Sequence, residues 1–260
     1  MAEYGAAEDR LLLARIEDAA RLCAGKSSPR FVGFLDERQG ALALRAGRSA
    51  GCLCRLYGGY ADGERTVFGA LPDWCAELGE EEITALFPIV PITITWRPET
   101  ARRPLTHRDI LGTVMGLGIK REAAGDILIE EGRAVLFVMS EVAPYVLSQM
   151  DKAGNVGVKA AEGLPETLPG ARSFLEITDT VASPRLDAVV AALAGGSRSR
   201  AESLIAAGLV SLDGLPCEKG AGTVPEGSIV RIRGVGKFAV DALHERSKKG
   251  RVLLRARKYQ

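Results

Sequence analysis

Apolar residues in this chain fall first into a helical rhythm, then into mixed strand and helix patterns, and finally into two short one-sided helices. Over Glu8–Ala24, Leu12, Ile16, Ala19 and Cys23 recur on one helical face, and Gly25 is placed to close the helix in the left-handed conformation. A second helix starts at Asp36, with Gln39 three residues on in capping-box register, and Gly47 ends it. Cys52–Tyr57 and Thr66–Leu71 read as strands around the turn residues Gly58, Gly59, Asp62 and Gly63.

The next segment has its own order. Ile89–Trp96 is β-branched and bounded by prolines, as a strand should be. Thr106 with Asp109 boxes a helix whose stripe is Ile110, Leu111, Val114 and Met115, closed at Gly118. Asp126–Glu130 and Arg133–Val138 form a hairpin about Glu131–Gly132. Ser140 opens a helix with Val142, Tyr145, Val146, Gln149 and Met150 on one face, although Pro144 falls near its first turn. Asn155–Ala160 and Ser173–Thr178 finish as strands. The order β-α-β-β-α-β is that of a ferredoxin-like (RRM-like) unit. Such a sheet binds RNA through aromatics on an open face; Phe137 and Trp96 are the candidates, with core packing as the alternative for both.

Beyond residue 180, Ser183-Pro184 caps a helix carrying Leu186, Val189, Val190 and Leu193 at i, i+3, i+4 and i+7, stopped by Gly195 and Gly196. A second helix starts at Ser199, boxed by Glu202, with Ala201, Leu204, Ile205 and Gly208 in the same spacing. Leu209–Leu212 and Leu215–Cys217 flank the tight-turn dipeptide Asp213-Gly214, and Ile229–Arg233 is a further strand after Pro225–Gly227. The expected fold is therefore α+β in three small modules. They are an N-terminal α/β unit (1–87), a ferredoxin-like domain (88–178) and an α-α-β-β-β domain (181–240), followed by a basic extension (241–260).

Charge adds to this picture. The whole chain is formally +1, yet residues 181–260 hold 14 Lys and Arg against 7 Asp and Glu. Positive charge concentrated in one third of a neutral protein suits a polyanion. Arg185 stands at the start of one short helix, and Arg198 and Arg200 at the start of the other, where the helix dipole disfavours cations. An anion held between them and the helix N–H groups resolves that cost, and phosphate is the anion such ends favour. Arg231 and Arg233 alternate with Val230 and Ile232, so both point outward, while Lys219 and Lys237 lie in flanking loops. The plainer alternative is a set of solvated surface charges.

The rest of the chemistry is sparse. Five cysteines without a CxxC pair imply neither a disulfide framework nor a zinc site, and Cys52 and Cys54 read as core thiols in a reducing cytoplasm. No run is long and apolar enough for a membrane span, and residues 1–10 lack a signal-type apolar region. No Walker loop or strand-linked GxGxxG occurs, and His107 and His244 form no triad or metal set with sequence neighbours. No catalytic residue, metal, membrane partner or small-molecule cofactor is expected. His107 reads as structural, with an RNA contact as the alternative.

Ser183-Pro-Arg-Leu-Asp187 followed by Ser197-Arg-Ser-Arg-Ala-Glu-Ser-Leu-Ile-Ala-Ala-Gly-Leu-Val-Ser-Leu-Asp-Gly214 resembles the S-four RNA-binding domain, a module named after a small-subunit ribosomal protein. The resemblance implies an RNA surface of Arg185, Arg198, Ser199, Arg200, Lys219, Arg231 and Lys237. Arg233 joins them through the strand alternation. Phe31-Val-Gly-Phe-Leu-Asp36, Tyr57-Gly-Gly-Tyr60, Thr106-His-Arg-Asp-Ile-Leu-Gly112, Gly116-Leu-Gly-Ile-Lys-Arg-Glu122 and Gly125-Asp-Ile127 are similar to segments of the bacterial YlmH-like proteins. That likeness spans nearly the whole chain. It implies a soluble, cytoplasmic, ribosome-associated factor of translation that binds rRNA on the large subunit, with tRNA as a possible second partner, in rescue and quality control of stalled ribosomes. The rival expectation is an RNA-modifying enzyme with its site in residues 1–178, near Tyr57–Arg65 and Thr106–Lys120.

Overall fold

The computed structural model describes residues 2–61, 63–100, 103–170, 174–243 and 251–259. The chain has a multi-module α+β architecture divided into two compact units, Met1–Ala171 and Arg172–Gln260. Among the described residues no helix is long and apolar enough to cross a membrane.

The first unit opens with α1 (Ala2–Lys26), β1 (Arg30–Leu35), α2 (Glu37–Ser49), β2 (Leu53–Tyr57) and β3 (Thr66–Leu71). The strands form an antiparallel sheet in the order β1-β3-β2. Leu12, Ile16 and Cys23 of α1 and Ala43 of α2 pack on one face of it, against Val32, Cys54 and Phe68. Asp36 caps α2 as its spacing predicts: its carboxylate accepts from the Gln39 N–H at 2.8 Å, and the Gln39 side chain accepts from the Asp36 N–H at 3.0 Å. Two glycines act differently from the expectation. α1 runs past Gly25, and Ser27 (φ +48°) takes the left-handed turn. Gly47 lies inside α2, where a Cβ would collide with Cys54 and Phe68. Burial pushes the thiol of Cys54 up to about 12 and that of Cys23 up to about 11, so both stay protonated core groups at neutral pH.

After α3 (Glu80–Ala85) come β4 (Ile89–Thr95), α4 (His107–Gly116), β5 (Ala124–Glu130), β6 (Arg133–Met139) and α5 (Ala143–Gln149). The short pair β7 (Lys152–Ala153) and β8 (Val156–Gly157) leads to β9 (Lys159–Glu162). The antiparallel sheet has the order β5-β6-β4-β9. α5 begins at Ala143 rather than Ser140, which puts Pro144 in the first turn, where its missing N–H costs nothing. Ile110, Val114 and Val146 cover one face through Ile92, Ile94, Leu136 and Val138. The other face is closed as well. Val135 and Phe137 pack into one cluster with Phe34, Val67 and Leu71 of the first sheet. Phe137 is fully buried, its ring stacked on Tyr60 at a centroid distance of 5.0 Å. The aromatic that could have met a base on an open sheet is core.

The second unit contains β10 (Phe174–Val181), α6 (Leu186–Leu193), α7 (Arg198–Ala206), β11 (Val210–Leu212), β12 (Leu215–Pro216), β13 (Ile229–Ile232), β14 (Gly236–Ala242) and β15 (Val252–Tyr259). They form an antiparallel sheet in the order β10-β15-β14-β13-β11-β12. Asp213 (φ +49°) and Gly214 (φ +77°) make the two-residue turn between β11 and β12. Two boundaries differ from the sequence reading. The strand expected at 173–178 does not close the preceding module, which ends on β9. As β10 it pairs with β15 from Phe174↔Tyr259 to Val181↔Val252. Residues 251–259 are likewise no appended extension, because β15 lies inside the sheet. Val252, Leu254 and Ala256 are buried with α6 and α7, an alternation that the interleaved Arg255 and Arg257 disguise. Ser173, His244 and the basic residues Arg246–Lys249 lie outside the described residues.

Candidate nucleic-acid interface

α6 turns Leu186, Val189, Val190 and Leu193 into the core, and Asp187 goes in with them at 1% exposure. A buried carboxylate is costly unless it is paired and hydrogen-bonded. Asp187 accepts from Arg185 Nε at 3.2 Å and Nη2 at 2.7 Å, and from Arg198 Nη2 at 3.1 and 2.9 Å. Arg185 precedes α6 and Arg198 opens α7, so one carboxylate clasps the starts of both helices. The Arg185 hydrogen bonds, with those of Arg198, hold the Asp187 carboxyl down at about 2 against the upward push of burial. The two arginines remain 43% and 49% exposed. Each guanidinium carries five N–H bonds, and the two contacts each makes with Asp187 leave others directed at solvent.

The loop after β12 completes the site. Leu186 N–H donates to the Gly222 carbonyl at 2.8 Å and Asp187 N–H to that of Gly220 at 3.0 Å. Arg185 bridges Thr223. This seats the loop on the start of α6 and brings the exposed Lys219, next to Gly220, to the same end. Ser199 and Arg200 follow Arg198 on the exposed first turn of α7.

This geometry corrects the sequence argument in two respects. The first N–H groups of α6 are taken by the loop carbonyls, and Ser197 caps α7, its Oγ accepting from the Arg200 N–H at 3.2 Å. The anion is expected at the start of α7, between Arg198 and Arg200; Arg198 is instead paired, together with Arg185, with the chain's own Asp187. Two cations then face one anion, so the cluster keeps a net positive charge, presented by side chains rather than by open helix ends.

A pH dependence follows. The Asp187 carboxyl is lowered in the folded chain, so its contribution is fully present above the unfolded value near pH ~4 and fades as pH falls toward 2. Urea unfolding of Asp187→Asn and parent, followed by far-UV circular dichroism at pH 5 and 2.5, should show a smaller acid-induced loss of stability in the variant.

The expected patch also divides. Val230 and Ile232 are buried beneath the helices while Arg231 and Arg233 are exposed, as the alternation predicts. Lys237 stands directly opposite Arg231 on β14. Arg231, Arg233 and Lys237 therefore belong to the sheet face turned away from α6 and α7, and Arg185, Arg198, Ser199, Arg200 and Lys219 to the helix starts.

In the first unit, several of the segments similar to YlmH-like proteins converge on Asp126. Its carboxylate accepts from Tyr60 Oη at 2.8 Å, Glu64 N–H at 2.6 Å and Arg65 N–H at 3.2 Å. Arg65 donates to the carbonyls of Phe34, Ala124 and Arg121, and Arg121 to those of Ala124 and Gly125. Partial desolvation, then the nearby Arg121 charge, lower His107 from its ordinary value. The Asp126 carboxylate is thus occupied with N–H and O–H donors from the Tyr57–Arg65 segment, which join the two sheets. No set of three or more His, Cys, Asp or Glu residues is arranged to hold a metal among the described residues. Trp96 does reach solvent: with Thr95, Arg97 and Lys159 it lines a cleft of about 570 Å³.

Residues 94–164 match a family model described as "Putative RNA-binding domain in YlmH". The chain is 27% identical over 243 residues to "Ribosome-associated protein quality control protein P2" of Bacillus subtilis (strain 168), covering 93% of this chain and 92% of that protein. Among solved structures, "Cell division protein ylmH from Streptococcus pneumoniae" is 26% identical, covering 60% of this chain and 92% of that chain, with a TM-score of 0.49.

Proposed function

We propose, from the premise that this chain is a YlmH-like protein with an RNA-binding domain, that it is a non-enzymatic, ribosome-associated factor in the quality control of stalled translation. In this reading it acts in the bacterial cytoplasm, without a cofactor, on rRNA of the large subunit, with tRNA as a second candidate partner. We read three modules in it: an N-terminal α/β unit, a ferredoxin-like sheet closing on β9, and an S-four-type unit from β10 to β15.

The observation that carries the reading is the arginine pair on Asp187. A buried carboxylate fixes two guanidiniums side by side at a net positive, solvent-facing corner, with Ser199 and Arg200 on the adjoining turn. Fixed guanidiniums suit phosphate, whose oxygens accept their paired N–H groups. The cleft beside Trp96, with Arg97 and Lys159 on its wall, offers the first unit an aromatic surface between cations.

Sucrose-gradient sedimentation of the tagged chain in cell extract tests this directly. It should travel with large-subunit particles at low salt and leave them as salt rises; protein confined to the top of the gradient at low salt overturns the proposal. Within the site, Arg200→Ala should lower the salt slope of RNA binding by about one without changing stability, since that side chain is exposed. Arg198→Ala should lower both, because it also withdraws a partner from Asp187. Fluorescence anisotropy at several salt concentrations and urea unfolding separate the two effects.

A further inference from the structure

We infer that the face of the second unit's sheet turned away from α6 and α7 is a separate binding surface for single-stranded RNA, built on the row Phe174–Tyr259–Lys237–Arg231. The inference deepens the proposed RNA-binding role and rests on it.

The row follows from strand register. Phe174 pairs with Tyr259 between β10 and β15, Phe238 with Lys258 between β14 and β15, and Lys237 with Arg231 between β13 and β14. Lys237 therefore comes next to Tyr259, one step beyond the Phe238–Lys258 pair. Ser211 continues the line beside Arg231. Successive strands are ~4.8 Å apart, so two aromatics, two cations and a hydroxyl lie in one line across five strands. All of them stand on the side opposite Phe238, Val240, Leu254 and Ala256, which face the helices.

Side-chain contacts bear out the register. The Phe174 and Tyr259 rings meet edge to face at 5.1 Å, Lys237 Nζ lies 5.1 Å from the Tyr259 centroid, and the Arg257 guanidinium 4.9 Å from that of Phe174. Arg255 and Arg257 add charge in the next rows, where Glu176 and Asp241 are the acids, Asp241 paired to Arg257 at 2.9 Å. Among the described residues the face stays net positive. Arg231 and Lys237 stand directly opposite each other on neighbouring strands, so two cationic side chains meet at one point of the row.

Aromatics beside a basic track describe a platform for single strands, with bases stacking on rings and the backbone following the cations. A duplex keeps its bases stacked inside and offers such rings nothing. That difference selects single-stranded RNA as the occupant. Stacking would exchange cation–π contacts already on the rings for base–ring contacts, releasing Lys237 and Arg257 toward phosphate.

The test uses the full chain and two labelled probes, a twelve-nucleotide oligouridylate and an RNA duplex of similar charge. Tyr259→Leu with Phe174→Leu keeps apolar bulk in the sheet while removing both rings. It should weaken oligouridylate binding five- to tenfold and leave duplex binding unchanged, with the circular dichroism spectrum retained. Crosslinking of the unmodified chain to 4-thiouridine-substituted oligouridylate, read by mass spectrometry, should label the peptides bearing Phe174 or Tyr259. Equal loss on both probes, no loss on either, or crosslinks confined to α6, α7 or the first unit overturns the inference while leaving the RNA-binding role standing. Failure of the parent chain to bind either probe overturns that role as well.

Discussion

Asp187→Asn is expected to weaken RNA binding about tenfold, even though it removes a negative charge from a basic corner. Counting charges alone predicts the opposite, because the variant gains one unit of positive potential. The carboxylate, however, holds Arg185 and Arg198 together through four contacts between 2.7 and 3.2 Å. An amide accepts on one oxygen and presents an NH₂ group where a guanidinium now donates. Both arginines then regain the rotamer freedom that a phosphate must freeze out again. The same change should cost the second unit about 2 kcal/mol, from a carboxyl lowered to about 2 and discounted for its half-exposed partners. Anisotropy at two salt concentrations, beside urea unfolding, measures both quantities. Tighter binding by the variant would show that Asp187 merely offsets charge and that its clasp has no part in recognition.

Phe137→Ala should destabilise the first unit by about 3–5 kcal/mol. The ring is fully buried, stacks on Tyr60, and lies close enough to Gly59 that a Cβ there would collide with it. Gly59 sits at φ +95°, where residues with a side chain are strained. In a sheet that met RNA through this ring the loss would fall on affinity. Here it should fall on the urea midpoint, while oligouridylate affinity per folded molecule stays within twofold. A variant with parental stability and lost binding would place the ring on an open face.

What the sequence revealed and what it concealed have physical reasons. Local chemistry was legible: the Asp36–Gln39 box closes as its spacing demands, Asp213-Gly214 turns where expected, and α6 and α7 bury the periodic residues. Those features are decided within a few residues. Val252, Leu253 and Leu254 read as part of a strand, but the place of β15 inside the sheet was hidden, because Arg255, Arg257 and Lys258 outweigh Val252, Leu254 and Ala256 in composition and its neighbours β10 and β14 decide which face counts. β10 was assigned to the wrong sheet for a related reason, since its partner lies more than 70 residues away. In the candidate site, the arginines at helix starts read as holding an external phosphate, whereas Arg185 and Arg198 are tied to a carboxylate of their own chain two residues from Arg185. The sequence does hold a signal: Asp187 lies between Leu186 and Ala188–Val190, beside an apolar stripe where an unpaired acid could not remain. Phe174 and Tyr259 carried no such signal, because 85 positions separate two rings that touch.

The interior position of β15 orders events in the protein's own synthesis. The strands flanking it are made earlier and wait with unfilled edges until residues 252–259 leave the ribosome, so the sheet of the second unit cannot assemble piecemeal as the chain emerges. A nascent chain arrested before that point would expose β10 and β14 as open templates for aggregation. An incomplete copy of this factor would thus become the kind of product that translation surveillance must clear.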